Sequence, residues 1–429
     1  MLLKKGMYGG TLSGKWWNQE LTDWLISVGF VQSQLDGTYF VRINADGSYI
    51  RLIFHVDDML YFGNNDKVEQ AFENEIKGQF NVNILGRANW FLQMRIHHHS
   101  DGSISIDQHR YVLNLLQRFT SKDAPYGTPR FCDTPAPPEY VYSVENRPTT
   151  EEDHRIINEK YPGLDFRSCL CTILYLAYST RADILFIVCK LAKACLAPGI
   201  KDFDALFWLL GYLRKYPAYG IRFYPNADKS PINELLRTHE IETNDIMAFS
   251  DASWQDCPDT GRSTIGYITV YQGGVIAANS TVPTPVAMSS AEAEYMGACA
   301  AAMNTSIIRG LLYDMRYLGT KDYKMVEDKI EFQPAILCVD NAAAVAMSQS
   351  PKLTKKTQHI ARHFHFVREG VKQGLHVLKW ISNKAQLADV LTKTQGANKT
   401  DPQVKIFMYQ LPEFLVRHTT KGDDNKNSS

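Results

Sequence analysis

The sequence predicts an α/β and α+β protein. Its C-terminal half should hold a mixed sheet with flanking helices, preceded by a hairpin-rich region and a helical connection. Three observations carry the prediction. Apolar strands and helix-forming runs alternate through residues 246–395. Near the start, "GTYFVRI", the turn "NADGS" and "YIRLIFHV" form a β-hairpin by the Asp-Gly signal. Between these regions, "FRSCLCTILYLAYSTRADILFIVCKLAKACLAPG" and "KDFDALFWLLGYLRKYPAYGIRFY" read as three helices and a following strand. A length of 429 residues suits two or three domains.

Residues 1–120 open with Gly9 to Lys15, which satisfies G-x-x-x-x-G-K. Trp16 then stands where a phosphate-binding loop needs Ser or Thr for magnesium, and no strand precedes it, so this motif is a decoy. Trp17, Leu21, Trp24, Leu25 and Val28 recur at helical spacing and predict an amphipathic helix ending at Gly29. The hairpin delivers Asp57 and Asp58 to a bend before "MLYFG". His97 and His99 share one strand face without a third ligand, which reads as a solvated strand end rather than a metal site.

Residues 121–165 are rich in proline and turn formers and are expected to form a long, partly disordered loop. Residues 166–245 are the helical connection, in which Arg181 and Asp183 pair locally or cap helices. A phosphate contact from Arg181 is a weaker alternative. Residues 396–429 form a polar tail expected to fray.

Within 246–395, four acids sit at element edges. Asp251 ends the strand "IMAFSDAS", Glu294 lies on the helix "SSAEAEYMGACAAA", Asp340 closes "PAILCVDN" and Asp389 lies in the short helix "AQLADVLTK". Glu292 fits a capping box with Ser289 and reads as structural. Carboxylates brought together repel: two charges about 4 Å apart cost about 4 kcal/mol at an effective dielectric of about 20. Such a cluster takes up protons or binds hard divalent cations. Taken one at a time, each acid is an ordinary strand-end or helix-start residue; the ordered set reverses that reading.

Basic and acidic residues balance at 46 each, so overall charge does not announce nucleic acid. Locally, Lys352, Lys355, Lys356, Arg362, Arg368, Lys372, Lys379 and Lys384 face the single acid Glu369, an electrostatic footprint for a phosphate backbone. The eight cysteines contain no C-x-x-C pair and read as free thiols of an intracellular protein, cytoplasm or nucleus being indistinguishable. No secretory signal is visible, and the longest apolar run, "CLCTILYLAY", is too short for a bilayer. No membrane partner is expected.

The blocks "FSDASWQDCPDTGRSTIGYITVYQGG", "VAMSSAEAEYMGA", "CVDNAAAVAMSQSP" and "QHIARHFHFVREGVKQG" resemble the ribonuclease H domain of copia-type LTR-retrotransposon Pol polyproteins. "FHVDDMLYFGNN", "LGRANWFLQMRI" and "SISIDQHRYVLNLLQRF" resemble the reverse transcriptase of the same family from its middle onward. The resemblance implies a truncated reverse transcriptase palm (1–120), a thumb and connection (166–245) and a ribonuclease H-like domain (246–395). It implies Asp251, Glu294, Asp340 and Asp389 as ligands of two Mg²⁺ or Mn²⁺ ions that cleave the RNA strand of RNA–DNA hybrids. Ser253, Lys352, Lys355, Lys356, Arg362 and Lys384 become candidate nucleic-acid contacts. Asp57 and Asp58 become a polymerase remnant, because the family's first palm carboxylate would precede residue 1. His55 and Leu12 depart from the family's tyrosine and glutamine, and DNA synthesis is expected to be lost. Where many ribonucleases H carry a histidine before the last acid, this chain has Ser382-Asn383-Lys384-Ala385, which predicts a low rate. Two alternatives stay open: an inactive remnant that binds nucleic acid or a protein partner, including other element-encoded proteins, and a polymerase completed by another chain.

Overall fold

The computed structural model describes residues 13–120, 124–319, 333–349 and 361–412. The chain divides into two compact units. One holds residues up to 92 together with residues from 306 to 329, and the other holds 93–305 and the remainder.

In the first unit, the helix Ser13–Ser27 buries Leu21 and Leu25, as its apolar spacing requires. It stops before Gly29, whose φ of 93° suits glycine. The strands Tyr39–Ile43, Tyr49–His55 and Asp58–Gly63 form an antiparallel meander. Ile50, Leu52 and Phe54 alternate inward and meet Phe72 and Ile76 of the helix Asp66–Gln79. That helix is capped by Asn65, whose side chain accepts from the Val68 N–H. The C-terminal part of the helix Ser290–Tyr317 also belongs here, and its Asp314 accepts a short hydrogen bond from Ser33.

The second unit carries two sheets. In the first, the strands Tyr409–Gln410, Tyr219–Phe223, Ile104–Asp107 and Met94–His98 lie side by side and antiparallel. The helices His109–Thr120, Phe166–Ser179, Leu185–Ala192 and Ile200–Lys215 share one apolar core with it. Residues 124–165, expected as a long loop, include the ten-residue helix Glu151–Lys160, opened by a Thr150–Asp153 capping box. The proline-rich part is held to the helices as well: Trp208 donates to the Thr134 carbonyl at 2.8 Å.

The second sheet has the order 274–281, 264–271, 246–253, 335–339, 376–380. The first three strands are antiparallel, and the last two run parallel to Ile246–Ser253. This is the mixed, ribonuclease H-like sheet expected from the sequence. Met247 and Phe249 face one core while Ala248 faces another, so the central strand is apolar throughout. The N-terminal part of the helix Ser290–Tyr317 covers the second face.

Candidate metal centre

The sheet register assembles the acids. Cys338 lies beside Phe249 in the parallel pair, so Asp340 falls level with Asp251 two residues further along. Asp389 arrives on the short helical turn Leu387–Leu391. Oxygens of Asp251, Asp340 and Asp389 all lie within 4.8 Å of one another. Glu294, from the adjacent helix, is outside that triad but close enough for Asp251 and Asp340 to raise its pKa. Its carboxylate accepts from the Ala252 N–H, and Oε2 is buried with no hydrogen-bond partner. Glu292 turns elsewhere and accepts from the Met288 N–H at 2.7 Å.

Two local features bring in the loop that bears Asp389. Gly266 pairs with Asp251 across the sheet, and a Cβ there would come within 2.7 Å of Leu391. Gln386, fully buried, donates to the Ser250 carbonyl at 2.9 Å and so ties the turn to the central strand.

Burial is the main force on the carboxyl groups. It lifts Asp251 to about 6, with Asp389 and Asp340 adding to the rise and Lys393 and Thr392 opposing it. Burial lifts Glu294 to about 9, followed by the charges of Asp251 and Asp340. Asp340 is raised by burial and Asp389, against an Asn383 hydrogen bond of 3.1 Å. Three close oxygens and an unsatisfied buried carboxylate atom are hard donors that fit a divalent cation.

Two lysines also enter the cluster. Lys393 lies 2.6 Å from Asp389 and 3.5 Å from Asp251. Burial acts to lower its pKa, but Asp251 and Asp389 overcome that and the net effect is a rise. Lys399, from the helix Ala397–Phe407, makes a short contact with Asp389 and reaches Asn383 Oδ1 at 2.8 Å. Thr392 donates a short hydrogen bond to Asp251. The sequence reading missed all three. Lys393 follows Asp389 by four residues, a spacing that could have flagged it; Lys399 left no local signal.

The other candidates fall as follows. Ser253 lies just beyond Asp251 on the same strand. Lys384 is exposed beside Asn383. Arg362 lies in the helix Ala361–Lys372, with its side chain outside what is described. Lys352, Lys355 and Lys356 lie outside the described residues, as do residues 9–12 of the glycine-lysine motif. In the first unit, Asp57 and Asp58 are exposed at the tight turn between paired strands, where Val56 has a φ of 52°. Trp17 donates to the Val56 carbonyl and fixes that turn. His97 is not a free strand end: it lies 2.7 Å from Asp107, while His99 meets Ser105 at 2.8 Å. Arg181 is fully buried, which excludes a phosphate contact.

Residues 1–130 match the family described as reverse transcriptase (RNA-dependent DNA polymerase). The chain is similar to the retrovirus-related Pol polyprotein from transposon RE1 of Arabidopsis thaliana, at 28% identity over 91% of this chain and 24% of that one. It is likewise similar to the Pol polyprotein from transposon TNT 1-94 of Nicotiana tabacum, at 25% identity over 92% of this chain and 27% of that one. The chain therefore spans about a quarter of the length of these curated relatives. Among solved structures it is similar to RNase H1 from Halobacterium salinarum, at 15% identity, 34% of this chain, 93% of that chain and a TM-score of 0.25. It is also similar to LC11-RNase H1 in complex with an RNA/DNA hybrid, at 15% identity, 37% of this chain, 99% of that chain and a TM-score of 0.24. In class, the chain is similar to retrotransposon Pol polyproteins, with a portion that matches the reverse transcriptase family and a mixed sheet beyond it. Within that class the likeness is to the copia-type polyproteins RE1 and TNT 1-94 and runs along nearly all of the chain.

Proposed function

We propose that this chain hydrolyses the RNA strand of RNA–DNA hybrids at a carboxylate site built from Asp251, Glu294, Asp340 and Asp389. The observation that carries the reading is the convergence of three aspartate oxygens within 4.8 Å beside the unsatisfied Oε2 of Glu294. Two Mg²⁺ or Mn²⁺ ions held there would supply an activated water and offset charge on the leaving oxygen. The chain's own groups prepare the site. Asn383 orients Asp340, Thr392 fixes one oxygen of Asp251, and Gln386 pins the turn that carries Asp389. Lys393 sets a positive charge where a phosphate would approach. Hybrids would be recognised by backbone shape and the 2′-hydroxyl rather than by base sequence. The eight unpaired cysteines suit a reducing compartment, and we place the protein inside the cell. No helix among the described residues is long and apolar enough to cross a membrane.

A second reading, binding without turnover, draws on Lys393 and Lys399, whose ammonium groups already compensate the acids. Polymerase activity draws less support. Among the described residues, Asp57 and Asp58 do not join a third ligand in a cluster able to hold a metal.

A labelled hybrid titrated with Mg²⁺ and Mn²⁺ tests the proposal. We expect cation-dependent cleavage of the RNA strand, with duplex DNA left intact. Asp251→Asn should reduce cleavage by at least about 10³-fold while the far-UV spectrum stays unchanged, a loss of the order seen on removing groups that act only in the transition state. Undiminished cleavage by that variant would show that the site is misassigned; hybrid binding with no cleavage by the unaltered chain would favour the second reading.

A further inference from the structure

Beside the acids, an open groove of about 490 Å³, counting its mouth, is lined by Tyr142, Phe186, Lys190, Lys193, Ser253 and Lys393 among others. It is continuous with the carboxylate site. Ser253 follows Asp251 by two residues, and Lys393 is the cation that touches both Asp251 and Asp389.

The two lysines on the helical wall differ in kind. Lys190 is committed: its ammonium donates to Asp256 and to Thr264, each at 2.7 Å, and it is nearly buried. Lys193 is only partly exposed, and among the described residues no carboxylate lies within ion-pair distance of it. Its ammonium lies over the face of Tyr142, 5.9 Å from the ring centroid. Burial, and then the charge of Lys190, hold its pKa below the ordinary lysine value. A cation beside a like charge, with Asp256 near but not in ion-pair contact, gains from a further anion. Two hydrogen bonds hold the wall that presents it. Tyr142 donates to the Lys193 carbonyl, and the hydroxyl of nearby Tyr140 donates to Asp202. Tyr142 and Phe186 add ring surface to which a sugar or base can pack.

We propose that this groove receives the sugar–phosphate backbone of the strand being cut, beyond the linkage that lies over the carboxylates, with Lys193 as its main phosphate contact. The inference rests on the nuclease reading of the neighbouring site. It enlarges the substrate surface from the ribonuclease H-like sheet to the helix Leu185–Ala192 and the loop around Tyr142, neither of which the motif blocks contain.

The test uses the full chain carrying Asp251→Asn, with binding of a fluorescein-labelled RNA–DNA hybrid read by anisotropy across a salt series. Adding Lys193→Glu should weaken binding by roughly tenfold and reduce the slope of log K against log salt by about 0.7–0.9, the loss of one phosphate contact. Lys193→Arg should restore both, and Lys229→Glu, an exposed lysine outside the groove, should change neither. Unchanged affinity and slope for Lys193→Glu would overturn the groove, as would equal competition by an acidic peptide of matched charge. The two readings fail separately. If hybrid binding depends on Lys193 yet the unaltered chain never cuts, the nuclease reading falls and the groove stands. If cutting persists and Lys193→Glu leaves binding and KM unchanged, the groove alone falls.

Discussion

Asp389 is held from two sides by ammonium groups, and the pair is not symmetric. Lys393 comes from the same turn and also reaches Asp251. Lys399 comes from a separate helix, bridges Asp389 to Asn383, and through Asn383 is tied to Asp340. A divalent ion held by the carboxylates would compete with Lys399 for the oxygens of Asp389. Lys399→Met should therefore tighten Mn²⁺ binding by about 1 kcal/mol, roughly fivefold in Kd, as expected for a partly exposed ion pair. Calorimetric titration checks this, and the cation-free protein should melt lower than the unaltered chain. A weaker Mn²⁺ affinity in this variant would instead make Lys399 a support for the metal-binding geometry.

Strands and helices place these residues by register and packing. The parallel pairing of Ile246–Ser253 with Ala335–Val339 sets Asp251 and Asp340 level at one end of the sheet. Gly266 leaves the space that lets Leu391 close over them. The helices outside the sheet are fixed by a different device. Arg181 and Asp183, both fully buried, form a two-point ion pair with contacts of 2.9 and 2.8 Å. Tyr212 donates to the same carboxylate, and Arg181 also donates to the Tyr216 carbonyl. Removing one member strands the other charge away from water. Asp183→Asn or Arg181→Met should cost about 3–5 kcal/mol in urea unfolding, and replacement of both by apolar residues should cost less than either single change.

At the scale of the second unit, two histidines contribute acid sensitivity. Burial lowers the pKa of His109, and burial with Arg222 lowers that of His99. The fold therefore resists protonating them, and the unfolded chain takes up protons first as pH falls through about 6.5. Their contribution to stability is full above that pH and declines below it, whereas the raised carboxyls of Asp251 and Glu294 act in the opposite sense, the folded chain taking up those protons first. Asp107, which His97 and the His109 N–H hold low against the pull of burial, acts only below the ordinary carboxylate range. His109→Gln should flatten the decline between pH 7 and pH 5 in denaturant melts; an unaltered slope would assign the acid sensitivity to other groups.

The order of elements was legible without coordinates because its signals are local. The Asp-Gly turn, the apolar alternation of "YIRLIFHV" and the strand ending at Asp251 each lie within about ten residues of chain. The same locality explains the errors. The capping box at Thr150 sat inside a proline-rich stretch whose composition hid the helix that follows it. His97 read as solvated because its partner, Asp107, comes from the neighbouring strand. By itself the sequence determined the resemblance, the mixed sheet and the acids worth watching, since these are written in residue type and spacing. Tertiary structure alone decided which groups surround them: Lys399 opposite Asp389, Gln386 under the central strand, and Lys193 in the groove that Ser253 also lines. The physical reason is that charge compensation and burial depend on distance through space, and chain separations such as that between Lys193 and Lys393 carry no trace of it.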